Sequence, residues 1–529
     1  MNSPPEGIAA GFTSNLLPNA TQLASVREFA RCGTLPPEPS FLEMASSLAP
    51  AELKRYDLEI QRTQTELDRL VAERRSLVSY TGLCRAILSP IQRLPSEILS
   101  EIFDLCFPEE IYRIKPTTTV REEEKRISYH HLFQLAKVCS RWYRIAMHTA
   151  KLWSTIVVDT RLWAKSALPR TTLLGLLDSS LCRGGNYPLS LQVDATASNY
   201  YSRSVLELLS VHARRWNKVY INAHNRGNGL SKYSGGLGRL KKLELVGDWK
   251  AADFFENAPQ LQEFEFTGRV QCLPKIPWTQ IRKAAFYAHR RDSLASSLST
   301  LLLPPNATTF TLSIDLRRCL FDEPLNSVIT SDVQRIRLML AADDGQELAV
   351  GRLMDSLILP SLRSFSVYPQ PGKNPPIWTS PQFVTLATRS GFSENLTSLS
   401  MHAMLTDSDV LQCLEVLPNL QNLHVVDCTS PDATQVVITD EFLRKLISAP
   451  DAPTLIPELQ CLTLRSVLEF SDSSLVEMLN SRAGLDEQDV FTVKLVPLAS
   501  RRRELSFELM EEIAKEVSKG GLAFILLEH

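Results

Sequence analysis

Leu240-Lys241-Lys242-Leu243-Glu244-Leu245 and Leu261-Gln262-Glu263-Phe264-Glu265-Phe266 are two copies of one pattern: apolar, two polar, apolar, polar, apolar. Trp216-Asn217-Lys218-Val219-Tyr220-Ile221 is a third. The pattern returns at Ile281/Ala284/Phe286, Val333/Ile336/Leu338, Leu362/Phe365/Val367, Leu396/Leu399/Met401, Leu420/Leu423/Val425 and Leu459/Leu462/Leu464. Weaker copies sit at Pro188/Leu191/Val193 and Ala307/Phe310/Leu312. Its last three positions alternate with the two-residue period of a strand that buries one face. Helix-like stretches separate several copies, at 204–213, 407–416, 441–448 and 473–482, and an Ala-Pro, Leu-Pro or Ile-Pro step often leads into the next one, as at Ala258-Pro259, Leu417-Pro418 and Ile456-Pro457. Starts lie about 20 to about 39 residues apart, overlapping the range of repeat architectures at its low end. Strand then helix, repeated, makes this an α/β chain of parallel strands alternating with helices, stacked into one continuous core. A parallel sheet that does not repeat as a solenoid would alternate in the same way. Lys242, Glu244, Glu263, Glu265, Arg335 and Arg337 alternate with the core positions, so they point outward and are places to look for contacts with a partner.

Upstream the texture is helical. Leu53, Tyr56, Ile60, Thr63, Leu67, Leu70, Arg74 and Leu77 follow three- and four-residue steps between charged residues, a heptad pattern predicting a long helix over 49–89. Such a helix can dimerise or fold back on following helices at Leu83, Ile87 and Ile91. Residues 1–48, rich in Pro, Ser, Asn and Gly, are expected to be a disordered tail.

Leu94-Pro95-Ser96-Glu97-Ile98-Leu99-Ser100-Glu101-Ile102-Phe103 follows. Pro95 suits a first helical turn, where its missing N–H costs nothing, and Glu97 and Glu101 favour the positive end of a helix. Ile98, Leu99, Ile102, Phe103 and Cys106 paint one face apolar. Leu132, Leu135, Val138, Cys139, Trp142, Ile145 and Ala146 do the same before Leu152-Trp153. These helices are too short to bury a core alone and must pack on a neighbour.

The order Leu-Pro-x-Glu-Ile-Leu, then Val-Cys-x-x-Trp, then Leu-Trp resembles an F-box, here over 90–158, and the following repeats are similar to the divergent leucine-rich repeats often joined to F-boxes. The upstream helix running into Pro90-Ile91-Gln92-Arg93-Leu94-Pro95 resembles a large fungal group of such proteins. The resemblance implies that Leu94, Pro95, Ile98, Leu99, Ile102, Phe103, Val138, Cys139 and Trp142 contact a Skp-type adaptor of a cullin-RING ubiquitin ligase, some of them instead holding the module together. It also implies that the solenoid of 159–529 binds a target protein. Unlike the usual short F-box loop, 107–131 is a long polar insertion containing Arg121-Glu122-Glu123-Glu124-Lys125-Arg126, read as solvated.

Composition agrees with a folded, non-membrane chain. Apolar residues at 44% and charged residues at 22% suit a globular protein, and a net charge of −2 offers no electrostatic grip on nucleic acid or an anionic membrane. No apolar run approaches the roughly 20 residues of a bilayer span, and 1–20 does not read as a secretory signal. Ten cysteines without a Cys-x-x-Cys pair fit reduced thiols in the cytoplasm or nucleus. No Gly-x-Ser-x-Gly elbow, phosphate loop or paired metal-ligand histidines occur; the glycines of 227–238 read as a surface loop, and Arg501-Arg502-Arg503 as a solvated helix start. The sequence therefore reads as a non-catalytic adaptor without metal or cofactor; a scaffold that has lost ligase association, or an enzyme with an unrecognised site, stays open.

Overall fold

The computed structural model describes residues 17–527 except 38, 107–133, 166–167, 197–198, 224–229, 231–235, 250–252, 290, 319–327, 342–346, 430–433, 449–454, 484–489, 500–503 and 519. The chain divides into two compact units, Met1–Leu99 and Ser100–His529. The insertion expected at 107–131, the Arg501–Arg503 cluster and most of the glycine-rich loop fall outside the described residues.

In the first unit, helix α1 covers Ala20–Cys32 and helix α2 Ser40–Leu88, followed by a 3-10 turn over Pro90–Arg93. The tail expected to be disordered is thus helical over much of 17–48. Its start is fixed by a reciprocal cap that sequence reading passed over: Asn19 accepts from Gln22 N at 2.8 Å, and the Gln22 side chain accepts from Asn19 N at 3.0 Å. α2 is a single 49-residue helix with Pro50 in its interior and no buried residue. Because Leu83 and Ile87 lie on α2 itself, the upstream heptads cannot fold back on them as a separate helix.

The second unit is built on a sheet of 14 strands, all parallel, in strictly sequential order. They are β1 Thr155–Asp159, β2 Leu189–Asp194, β3 Trp216–Ala223, β4 Lys242–Gly247, β5 Glu263–Gly268, β6 Lys283–Ala288, β7 Thr309–Asp315, β8 Arg335–Ala341, β9 Ser364–Pro369, β10 Ser398–Met401, β11 Asn422–Val426, β12 Cys461–Ser466, β13 Phe491–Pro497 and β14 Leu522–Leu526. Registers align two rows of inward side chains. One runs Leu191, Val219, Leu243, Phe264, Ala284, Phe310, Ile336, and on through Phe365, Leu399, Leu423, Leu462 and Val493. The other lies two residues further along each strand. The leading apolar residue of the repeat, such as Leu240, Leu261, Ile281, Leu362 or Leu420, is 0% exposed just before its strand. Each such leucine or phenylalanine removed from water contributes about 1.5–3 kcal/mol, so the rows supply the core.

Connections vary in length, and the filling of the core varies with them. From β8 onward they carry helices 347–355, 380–390, 407–414, 440–445, 472–482 and 507–518, each packed against the next. Between β4 and β6 the described residues form 3-10 turns, and aromatic rings pack beside them: Phe264 lies 5.4 Å from Trp278 and 6.0 Å from Phe286, which lies 5.4 Å from Phe310.

Successive helices are locked at their N-termini. The Thr439 hydroxyl caps helix 440–445 and donates to Asp407, the first residue of the preceding helix, at 3.0 Å. Ser471 caps helix 472–482 and donates to Asp440 from both N and Oγ, at 2.7 and 2.8 Å. Ser506 donates to Asp472 at 2.7 Å. Each aspartate thus meets its own helix's positive end and the cap of the next repeat. Bonds from Ser471 N foremost hold the Asp440 carboxyl below its usual range. A second pin is Asp427, 2% exposed, whose oxygens accept from Val437 N, Ile438 N, Val467 N and Ser466 Oγ at 2.8–3.0 Å.

The outward rows range from exposed to buried. One of them aligns Arg337, Ser366, Ser400, His424, Thr463 and Lys494 on β8–β13. Tyr368 Oη donates to Ser400 Oγ at 3.2 Å, and its ring lies 6.3 Å from His424 and 6.4 Å from His402. Burial first, and the positive charge of Arg465 second, push both imidazoles down to about 4.

Two outcomes follow from this fold. Asp440→Ala is expected to lower the unfolding free energy by about 1–2 kcal/mol, read from chemical denaturation, with a helix cap and its partner lost together. Between pH 6.5 and about 4 the unfolded chain binds protons at His402 and His424 that the folded chain does not. Their contribution is therefore complete above pH 6.5 and lost as pH falls through that window. The urea midpoint should drop between about pH 7 and about pH 5, and less so in a His402→Gln/His424→Gln variant; an equal drop in both chains would contradict the assignment.

Candidate functional site

Helix α3, Ser96–Leu105, begins where the Leu99 amide donates to Pro95 O at 3.1 Å, which makes Pro95 the residue before the first helical turn. Helix α4, Ser140–His148, starts at Cys139, whose Sγ accepts from Trp142 N at 3.5 Å. The single helix-like pattern from Leu132 to Trp153 is in fact broken at this cap: a short turn at 134–136 precedes it, and a 3-10 turn at Ala150–Trp153 follows α4. Leu132 itself is outside the described residues.

Within the second unit the module is held by aromatic and ionic contacts. Phe103, 0% exposed, packs on Trp142 with ring centroids 4.9 Å apart. Lys151 pairs with Asp104 at 3.0 Å and Glu101 at 3.1 Å, and these bonds hold its ammonium above the ordinary lysine range. Trp153 is 0% exposed, its Nε1 donates to Ala146 O at 2.8 Å, and the Arg183 guanidinium lies 4.9 Å over its ring. One residue on, Ser154 O accepts from Ser190 N at 2.8 Å and the chain enters β1. The module therefore runs directly into the sheet, and a boundary at 158/159 falls inside its first strand.

Burial divides the nine residues singled out from sequence. Leu99 and Phe103 are both 0% exposed, so neither offers surface to a partner; an apolar ring and a leucine of that size are needed to fill the module's own interior. Leu94, Ile102, Cys139 and Trp142 are half-buried. Pro95 is exposed, Ile98 is 48% exposed and Val138 58%. Leu105 and Tyr143, which sequence reasoning did not single out, are 83% and 52% exposed; their positions beside the helical stripes were the signal available.

On the sheet, the outward residues fall into two groups. Lys242 pairs with Glu265 at 2.8 Å and Lys283 with Glu263 at 2.7 Å, so the charges of β4–β6 largely satisfy one another. Arg335 and Arg337 are exposed, with the Arg337 guanidinium 5.6 Å over the Tyr368 ring. The described cysteines are all free; burial pushes the thiols of Cys413 and Cys428 up to about 12, leaving them protonated and inert. Among the described residues no group of His, Cys, Asp and Glu could hold a metal ion, and no helix is long and apolar enough to cross a membrane.

No curated protein matches the chain. Residues 91–159 match the F-box-like family model, a span that takes in α3, α4 and β1 and leaves β2–β14 outside it. F-box segments in general bind Skp-type adaptors of SCF-type ubiquitin ligases and typically belong to non-catalytic subunits, and the chain carries such a segment at its helical module.

Proposed function

We propose that this chain is the substrate-recognition subunit of an SCF-type cullin-RING ubiquitin ligase, docking a Skp-type adaptor through 90–158 and holding a target protein on the sheet. The observation that carries the proposal is the F-box-like match at 91–159 together with exposed apolar side chains, Pro95, Ile98 and Val138, that the segment leaves uncovered. Exposed apolar groups are the side chains a partner can desolvate. The mechanism is proximity: binding a target next to a ubiquitin-charged enzyme turns a bimolecular encounter into a near-intramolecular one. The chain supplies surface and orientation, in the cytoplasm or nucleus, and no chemical step.

In this proposal the sheet domain is an irregular leucine-rich-repeat solenoid of the kind joined to F-boxes in fungal-type proteins. Support comes from strands that are parallel and sequential, most of them led by a buried apolar residue. α2 then serves as a coiled-coil element, since its seam residues Leu53, Ile60, Leu67, Leu70 and Leu77 are 49–65% exposed.

The test is capture of a purified Skp-type adaptor by the full chain. Pro95→Ala with Leu94→Ala, and separately Val138→Asp, should each weaken capture by about tenfold or more, with circular dichroism unchanged. Capture insensitive to all three substitutions would remove the proposed surface. Absence of capture by the intact chain would favour a scaffold outside the ligase.

A further inference from the structure

The two halves of the open sheet face differ in charge. Outward positions of β3–β6 carry Lys218, Lys242, Glu244, Glu263, Glu265 and Lys283, a mixed set with ion pairs inside it. The strands β8–β13 contain Arg335, Arg337, Arg465 and Lys494 and not one Asp or Glu. Asp427, the residue that follows β11, is 2% exposed and already accepts four hydrogen bonds inside the fold. In a chain whose net charge is −2, a strip with only positive formal charges is a departure that composition does not require.

The register turns this into a geometry. Arg337 and Lys494 stand at the two ends of one cross-strand row, and between them lie Ser366, Ser400, His424 and Thr463, all without formal negative charge, Ser400 being buried and bonded to the Tyr368 hydroxyl. Five strand spacings separate the end cations, roughly 24 Å, the length of about seven extended residues. Arg465 stands two residues beyond Thr463 on β12, at the same face. The cations at the ends of the row set the charge that a segment lying across it must bring. Nucleic acid does not fit: three or four cations on a chain of this net charge are too few for a phosphate backbone.

We propose that the outward face of β8–β13 is a docking strip for an extended acidic segment of a partner protein, whose carboxylates meet Arg335, Arg337 and Lys494. This deepens the proposed target-binding role of the sheet and rests on it. His402 and His424, neutral beside Arg465, then act as reporters: a bound carboxylate favours their charged forms.

The experiment uses the full chain and a fluorescent peptide of about ten residues with alternating glutamates, slightly longer than the strip. Anisotropy should show binding that weakens as salt rises, and the glutamine version of the peptide should not bind. Arg337→Gln/Lys494→Gln should weaken binding roughly tenfold or more, Lys218→Gln on β3 should leave it unchanged, and His402 and His424 imidazole resonances should shift on titration. Equal binding of the glutamate and glutamine peptides, or indifference to the Arg337→Gln/Lys494→Gln change, overturns the proposal. Binding of a phosphoserine peptide without binding of the glutamate one overturns the carboxylate assignment. Adaptor capture is measured on the same samples: its loss with peptide binding intact defeats the ligase role alone, whereas its retention with peptide binding absent defeats the docking strip alone.

Discussion

The second unit depends on one constraint: a strand with a single apolar face has nowhere to bury it except against a neighbour of the same kind. Sequential parallel pairing of 14 strands meets that constraint, because the inward residue of every strand then sits beside the inward residue of the next. A slip of one residue would turn Leu243, Phe264 and Phe310 outward together. The helices and aromatic turns behind the sheet are alternative ways of closing the same core, chosen by the length of each connection. From helix 407–414 onward, an aspartate at the start of each helix bonds the Ser or Thr that precedes the next one and sets the spacing.

The helical module is attached to this array through its own last residues. Trp153 is enclosed, tied to Ala146, covered by Arg183 and followed at once by β1. Terminal repeats have one neighbour instead of two and need covering. The module runs into the first strand without a linker and is held there by the bond from Ser190 N to Ser154 O and by Arg183 over Trp153. In the proposed role, a direct join between the two binding elements raises the effective concentration of one partner near the other.

The apolar-x-x-apolar-x-apolar pattern made β2–β12 legible, including the weaker copies at β2 and β7. β1 and β13 carry the same pattern, at Trp153/Ile156/Val158 and Val490/Val493/Leu495, and were passed over; β14 has Gly521 where the leading apolar residue would stand before Phe524/Leu526. The cap pairs Thr439-Asp440 and Ser471-Asp472 are visible in the sequence as helix starts, but their bonds to the preceding repeat depend on a stacking that no local pattern encodes. Asn19 and Gln22 show the reverse case, a local signal overlooked inside a segment whose composition suggested disorder. Among the nine docking candidates, periodicity identified apolar stripes yet could not separate Leu99 and Phe103 from Ile98 and Val138. That division is a matter of which side meets the rest of the fold.

The open face carries a further distinction that periodicity hides. Outward positions read simply as polar along the chain, but the register sorts them by sign. On β4–β6 opposite charges are neighbours, and an incoming charged group would first have to break the half-buried Lys242–Glu265 pair or the more exposed Lys283–Glu263, the latter worth at most about 1 kcal/mol. On β8–β13 the like charges of Arg335 and Arg337 stand with neutral hydroxyls and imidazoles that the field of Arg465 helps keep neutral. Like charges held on rigid strands raise the energy of the free protein slightly and lower it when an opposite charge arrives. Partner preference can therefore be written into a repeat array without altering a single core position, by changing which residues stand between the two buried rows.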